Sequence, residues 1–140
     1  IEKSMMNSEI GFGRKVLQVL EEQGIAFEHI PSGIDTMTIY IHQDEFSQKE
    51  QQVIAGIHRI VNPDYMELET DLSLIAVVGR GMRSNRGTAA RIFAALAHAN
   101  VNVKMIDQGS SELNVIVGVK DEDFEPAIRA IYDIFVETQI

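Results

Sequence analysis

The sequence predicts an α+β fold in which one unit, with the element order βαββαβ, occurs twice. Residues 72–78 are a short apolar run rich in β-branched side chains, which is typical of a buried strand. Apolar residues recur at the helical period over residues 88–99, which predicts a helix. Residues 101–106 alternate and residues 113–119 are apolar, so both are predicted to be strands.

The first half of the chain repeats this plan 76 positions earlier. With no gap, the offset pairs Met6 with Met82, Ser8 with Ser84, Gly11 with Gly87, Leu20 with Leu96, Ile25 with Val101, Gly33 with Gly109, and residues 37–41 with 113–117. A match across a turn, a helix and strands indicates two copies of one supersecondary unit. The sequence therefore predicts two domains, residues 1–70 and 71–140, each near the size at which a single core is marginal.

The first copy contains every element of the unit in order. Strands are predicted at residues 1–5, 25–30, 36–41 and 65–68, with one helix ending near Gln23 and a second over residues 43–60. Asn7 or Ser8 is predicted to cap the first helix and Gly24 to end it. This element order is the ferredoxin-like one.

The second copy follows the same order and then predicts a helix over residues 123–136, in which Pro126 falls in the tolerant first turn. Only residues 137–140 remain, which are too few for a full closing strand. The second copy is therefore either one strand short or completed by a strand from elsewhere. The chain also starts inside a predicted strand, and we expect it to be part of a longer protein.

Charge and composition exclude several classes of partner. An apolar content of 45% is that of a globular protein, and a net charge of −9 opposes binding to a phosphate backbone. No apolar run approaches the length of a membrane span and no signal peptide is visible, so neither nucleic acid nor membrane is a predicted partner. The lack of cysteine rules out disulfides and thiolate metal sites and suits a reducing cytoplasm.

Catalytic chemistry is poorly represented in the sequence. None of the histidines has the spacing of metal ligands, and the paired carboxylates lie at predicted helix ends, where solvation explains them. Gly79 and Gly81 resemble the start of a dinucleotide motif, but Ser84 stands where the third glycine belongs. We therefore predict no catalytic residue, no metal site and no cofactor site in these residues.

The turn before the first helix is a better candidate site. Residues 8–13 offer helix-terminal amides for a small carboxylate, two glycines for close approach, and Phe12 as a wall. Phe27 and Glu28, on the following strand, can supply a carbonyl and a negative charge for an ammonium group, so the ligand predicted is an amino acid. The alternative is a capped helix start with a solvated Glu28. Asn102 is a further candidate that can reach a ligand across an interface.

The runs LIAVVGRGM and RGTAARIFAALAHANVNVKMIDQGSSELNVIVGV resemble the C-terminal regulatory portion of aspartate kinases, which is a tandem of ACT domains. The run MNSEIGFGRKVLQVLEEQGIAFEHIPSGID resembles the Gram-positive, lysine-responsive branch, in which some members also respond to threonine. The resemblance implies feedback inhibition of aspartate phosphorylation and a homodimer formed through ACT domains. It also implies that the first domain is inserted into the second, whose remaining strand lies upstream.

The resemblance further implies that catalysis and regulation belong to separate domains of a cytoplasmic parent enzyme. The kinase domain, which would use ATP and Mg, lies upstream, and the present chain has no kinase activity and needs no cofactor. By position, the effector seat matches Met6, Glu9, Gly11, Phe12, Gly13, Phe27, Glu28 and Gly33, with Asn102 and Val103 for threonine. Glu9 departs from the family, because lysine-sensitive relatives can have a hydroxyl there.

Two other functions compete with amino-acid sensing. An enzyme of ferredoxin-like fold would need an acid–base pair that the sequence does not supply. A structural dimerisation module without effector would need neither. A screen of amino acids for stabilisation of the folded state separates sensing from dimerisation.

Overall fold

The chain divides after Thr70 into two units, Ile1–Thr70 and Asp71–Ile140, and each has its own apolar core. The structure, a computed structural model, describes residues 1–79, 86–109 and 114–137. The predicted equivalents Met82 and Ser84, most of the turn at residues 108–112, and the end of the tail lie outside the described residues.

The first unit contains the helices α1 (Phe12–Glu22), α2 (Gln43–Ser47) and α3 (Glu50–Val61), with a single 3-10 turn at Met6–Ser8. The apolar stripes of α1 and α3 pack into one core, as the helical periodicity predicts. Its buried helical residues are Phe12, Val16, Val19, Leu20, Val53, Ile57 and Val61.

The predicted single helix over residues 43–60 is wrong, because the chain leaves helical geometry between α2 and α3. Lys49 has φ −126°, and its ammonium donates to the carbonyl of Gln23 at the end of α1. α3 then packs closely on α1 at Gly56, where an added Cβ would lie 2.7 Å from Cγ1 of Val19. Glycine is therefore the residue that lets these two helices approach.

The four predicted strands of the first unit are segments joined by isolated bridges, and the first is shorter than predicted because Met5 has a left-handed backbone with φ 64°. Glu2 bridges both Thr36 and Tyr65, while His29 bridges Tyr40, all antiparallel. Numbered along the chain, the segments therefore lie in the order 4-1-3-2, which is the ferredoxin-like order. The bridges replace the regular ladders that the sequence predicts.

The second unit contains β1 (Leu72–Val78), α4 (Thr88–His98), β2 (Met105–Asp107), β3 (Asn114–Lys120) and α5 (Phe124–Glu137). Its three strands are antiparallel in the order β1-β3-β2. This is the order of the first unit without its fourth segment, so within the described residues the β1 edge has no strand beside it. The predicted α+β, ferredoxin-like fold class is confirmed.

The repeat is visible in the hydrogen bonds that end α1 and α4. The amide of Ile25 donates to the carbonyl of Leu20 at 2.9 Å, and the amide of Val101 donates to that of Leu96 at 3.0 Å. Such a bond, reaching back over the last turn, closes a helix whose next residue is left-handed. Each bond is the other moved by 76 positions, so the helix alignment made from sequence is confirmed.

The same offset fails in the strand after the hairpin. Ile1 exchanges both backbone hydrogen bonds with Met37, each at 2.9 Å, whereas Val77, the equivalent of Ile1, pairs with Val115. Met37 is therefore equivalent to Val115 and not to Leu113. A shift of two residues keeps the same side chains facing the core, so the apolar pattern cannot detect it.

Candidate functional site

The first corner, residues 6–13, is the predicted effector seat. It starts with the 3-10 turn Met6–Ser8 and enters α1 after Gly11, which has a left-handed backbone with φ 80°. The prediction that Asn7 or Ser8 caps α1 is wrong, because Gly11 precedes the helix and no side chain caps it. A left-handed residue at that point favours glycine, since a Cβ there would be strained.

The corner uses some of its backbone donors internally. The amides of Ser8 and Glu9 donate to carbonyls within the 3-10 turn or just before it, and the amide of Phe12 donates to Glu9 at 3.3 Å. Within the residues that the structure describes, the amides of Gly13 and Arg14 have no backbone acceptor. These two first-turn donors carry the positive end of the α1 dipole, and they are what the corner can offer to a carboxylate.

The apolar residues of the corner face inward. Met6 is 7% exposed and Phe12 3% exposed, and both belong to the core of the first unit. Phe12 therefore forms the floor of the corner rather than a free wall. Ser8 is exposed, and Gly13 is half-buried.

Glu9 is held by two lysines of its own unit. Its carboxylate lies 2.9 Å from Nζ of Lys3 and 3.1 Å from Nζ of Lys15. The hydrogen bond from Lys3 and then that from Lys15 lower the pKa of the Glu9 carboxyl below its ordinary value. Glu9 is thus ionised at neutral pH with its charge already balanced.

Lys3 joins the corner to two other elements. Its Nζ donates to the carbonyl of Val61, the last residue of α3, at 2.6 Å. The same Nζ lies 5.9 Å from the centroid of the Phe12 ring. An ammonium at the carbonyl end of a helix is favourable, because it offsets the partial negative charge there.

Phe27 and Glu28, the candidates on the second extended segment, form a second group. Phe27 is 46% exposed, and the amide of Glu28 donates to the carbonyl of Tyr40 at 2.7 Å. Oε1 of Glu28 lies 2.7 Å from Nε2 of His42, which precedes α2. Among the described residues no hydrogen bond or ion pair joins Glu28 to the first corner.

Gly33 shapes the hairpin that follows. Its amide donates to the carbonyl of Thr36 at 2.8 Å, and an added Cβ would lie 2.8 Å from Oγ1 of Thr36. The tight turn explains the glycine without a ligand. In the second unit, Asn102 is exposed and Val103 is half-buried against the core just after α4 ends.

Sequence reasoning missed three residues that hold the candidates in place: Lys3, Lys15 and His42. The lysines follow no motif, because Lys3 reaches Glu9 across a turn that periodicity does not describe. His42 pairs with Glu28 only once the hairpin is in the register that joins His29 to Tyr40. The position of the turn at Gly33 was the available signal for that register.

Two kinds of site are not found in the described part of the chain. It contains no cluster of three or more His, Asp or Glu side chains that could hold a metal ion. None of its helices combines the length and the apolar character needed to cross a membrane.

A comparison with protein families matches an ACT domain over residues 75–135, which lie within the second unit. The second unit is an ACT domain. The chain as a whole matches the C-terminal regulatory region of aspartate kinases. The resemblance drawn from the sequence is therefore confirmed at the level of family and region.

The relatives agree with that assignment. The chain is 48% identical to aspartokinase 3 of Bacillus subtilis over 96% of its own length and 30% of the relative. The crystal structure of Clostridium acetobutylicum aspartate kinase superposes with a TM-score of 0.92 at 48% identity, covering 95% of this chain and 31% of that one. The regulatory subunit of Thermus thermophilus aspartate kinase superposes with a TM-score of 0.76 at 28% identity, and the match covers 89% of this chain and 82% of that one. The chain thus spans under a third of the Bacillus and Clostridium kinases.

Proposed function

We propose that this chain is the amino-acid-sensing region of an aspartate kinase and that lysine, alone or with threonine, is its effector. This proposal rests on the amides of Gly13 and Arg14, which have no backbone acceptor among the described residues, in a chain that matches aspartate kinase regulatory regions. A solved complex of E. coli aspartokinase III contains lysine and aspartate. At 20% identity that structure shares only the fold, but it makes lysine the first ligand to test.

In this proposal the effector lies across the first corner. Its carboxylate accepts from the amides of Gly13 and Arg14, and an ammonium group binds Glu28 and the carbonyl of Phe27. Glu28 is the better anion for this purpose, because the charge of Glu9 is balanced by two lysines. Asn102 and Val103 belong to a threonine site supplied by a facing second unit.

The regulation proceeds by linkage. An effector that binds one arrangement of the ACT domains more tightly shifts the parent enzyme towards it, with a coupling of about 1–3 kcal/mol. Phosphorylation of aspartate, with ATP and Mg, belongs to the upstream kinase domain of a cytoplasmic parent protein. The 140 residues themselves are expected to show no kinase activity.

Two assembly contacts complete the proposal. Residues 25–32 form an edge of the first sheet, and we propose that two copies pair there as a homodimer, since exposed edges favour association. The β1 edge of the second unit takes a strand from upstream in the parent chain. Its exposed Val78, at 72%, is consistent with a surface that another element covers.

Sedimentation as a monomer at every concentration, with and without lysine, would count against the homodimer proposed at residues 25–32.

The proposal is tested by a thermal-shift screen of the twenty amino acids followed by calorimetry. Lysine is expected to raise the melting temperature, because it binds only the folded state. Glu28→Ala is expected to weaken lysine binding, and Glu21→Ala, which removes an exposed carboxylate at the end of α1, is the matched control. No shift with any amino acid would favour a structural dimerisation module instead.

A further inference from the structure

His42 contacts Glu28, the carboxylate that is proposed to bind the effector's ammonium group. Its Nε2 lies 2.7 Å from Oε1 of Glu28, with the His42 side chain 69% exposed and that of Glu28 46% exposed. His42 immediately precedes α2, whose amide at Phe46 donates to the His42 carbonyl at 3.1 Å. That hydrogen bond ties the backbone beside Glu28 to the start of a helix.

We infer that His42 sets the effector affinity of the first unit by competing with the effector's ammonium group for the Glu28 carboxylate. This inference rests on the proposed function, in which Glu28 binds that ammonium. When the imidazole is protonated, it neutralises Glu28 and repels a second cation nearby. When it is neutral, the carboxylate keeps its full charge for the effector.

The histidine is suited to this role because imidazole changes charge between pH 5 and 8, where carboxylates and lysine ammonium groups keep theirs. The other charged or titratable groups on the two facing segments and α2 are His29, Tyr40, Asp44 and Glu45. His42 forms an ion pair with Glu28, and that contact is the basis of the inference. The second unit has no such pair, because Lys104 is the equivalent of Glu28 and, with the two-residue shift after the hairpin, Lys120 is the equivalent of His42.

The size of the effect follows from the exposure of the pair. Exposed ion pairs are worth little, so competition is expected to change lysine affinity about threefold rather than by orders of magnitude. The sign is fixed. Effector binding weakens as pH falls, because acid charges the competitor.

Calorimetry with L-lysine between pH 5.5 and 7.5 tests the inference in three variants. In the parent chain, affinity is expected to fall about threefold at the acid end. His42→Gln, which stays neutral, is expected to bind at the parent's higher affinity throughout, and His42→Lys, which stays charged, at its lower affinity throughout. His58→Gln, on an exposed position of α3, is the control and is expected to follow the parent.

The outcomes separate the two ideas. Lysine binding with the parent's pH dependence in His42→Gln overturns the role of His42 and leaves the proposed function intact. Absence of lysine binding by the parent at every pH overturns the proposed function, and the inference with it.

An NMR comparison adds a test that needs no ligand. Glu28→Gln is expected to move the imidazole resonances of His42 and not those of His58, and unmoved His42 resonances overturn the pairing.

Discussion

Gly24 and Asn100 hold equivalent positions after α1 and α4, and both have a left-handed backbone, with φ 68° and 58°. Glycine adopts this conformation freely, whereas a residue with a Cβ pays about 1–2 kcal/mol, least for asparagine. The two helices therefore end with the same geometry at different cost.

We expect Gly24→Ala to destabilise the first unit by about 1 kcal/mol and Asn100→Gly to stabilise the second by a few tenths. Urea denaturation followed by circular dichroism measures both. Gly109→Ala is the control, since its backbone is not left-handed and an added Cβ meets nothing within 4 Å. Equal effects of alanine at positions 24 and 109 would contradict the backbone argument.

The packing of α1 on α3 gives a second prediction. In Gly56→Ala the new methyl group would lie 2.7 Å from Cγ1 of Val19, which is 2% exposed and cannot move aside. A loss of about 1–3 kcal/mol is expected, despite the better helix propensity of alanine. The double variant Gly56→Ala with Val19→Ala is expected to be more stable than the sum of the single changes predicts. Strict additivity would show that the two residues do not meet.

The pH dependence of stability reports on Glu9. Its pKa is lowered in the folded state from an ordinary value of 4.5, so its contribution to stability is present above pH 4.5 and is lost as pH falls through the lowered pKa. The stability difference between the parent and Glu9→Gln is therefore expected to be largest near neutrality and to disappear in acid. Denaturant titrations from pH 7 to pH 3 measure it. A difference that grows in acid would show the opposite shift.

The sheet of the second unit gives a fourth prediction. A Cβ on Gly118 would lie 2.9 Å from Cβ of Met105, and neither atom can rotate away because each is fixed to its backbone. Gly118→Ala is expected to cost about 1–3 kcal/mol. Adding Met105→Gly to the same chain would relieve the clash but would also remove a buried side chain, so it would not restore the parent's stability. Hydrogen exchange in β3 localises the effect, and protection equal to that of the parent would refute it.

Periodicity predicted the helices and the core well, because burial alone decides which face of α1 or α4 turns inward. It could not predict the hairpin register, since Met37 falls on the core side whether it matches Leu113 or Val115. Nor could it predict that Gly11 precedes α1, because the choice between a capping side chain and a left-handed glycine depends on the preceding turn. The pairing of Glu28 with His42 depends on the hairpin register, so periodicity could not predict it either.

Lys3 binds at once the carboxylate of Glu9 and the carbonyl of Val61. Asn62, the next residue, begins the stretch of chain that leads to Tyr65, which bridges Glu2 in the first sheet. Removal of the Glu9 carboxylate would therefore remove one of these two oxygen partners of the Lys3 ammonium. The Lys3 side chain thus connects the corner to the end of α3 within the first unit.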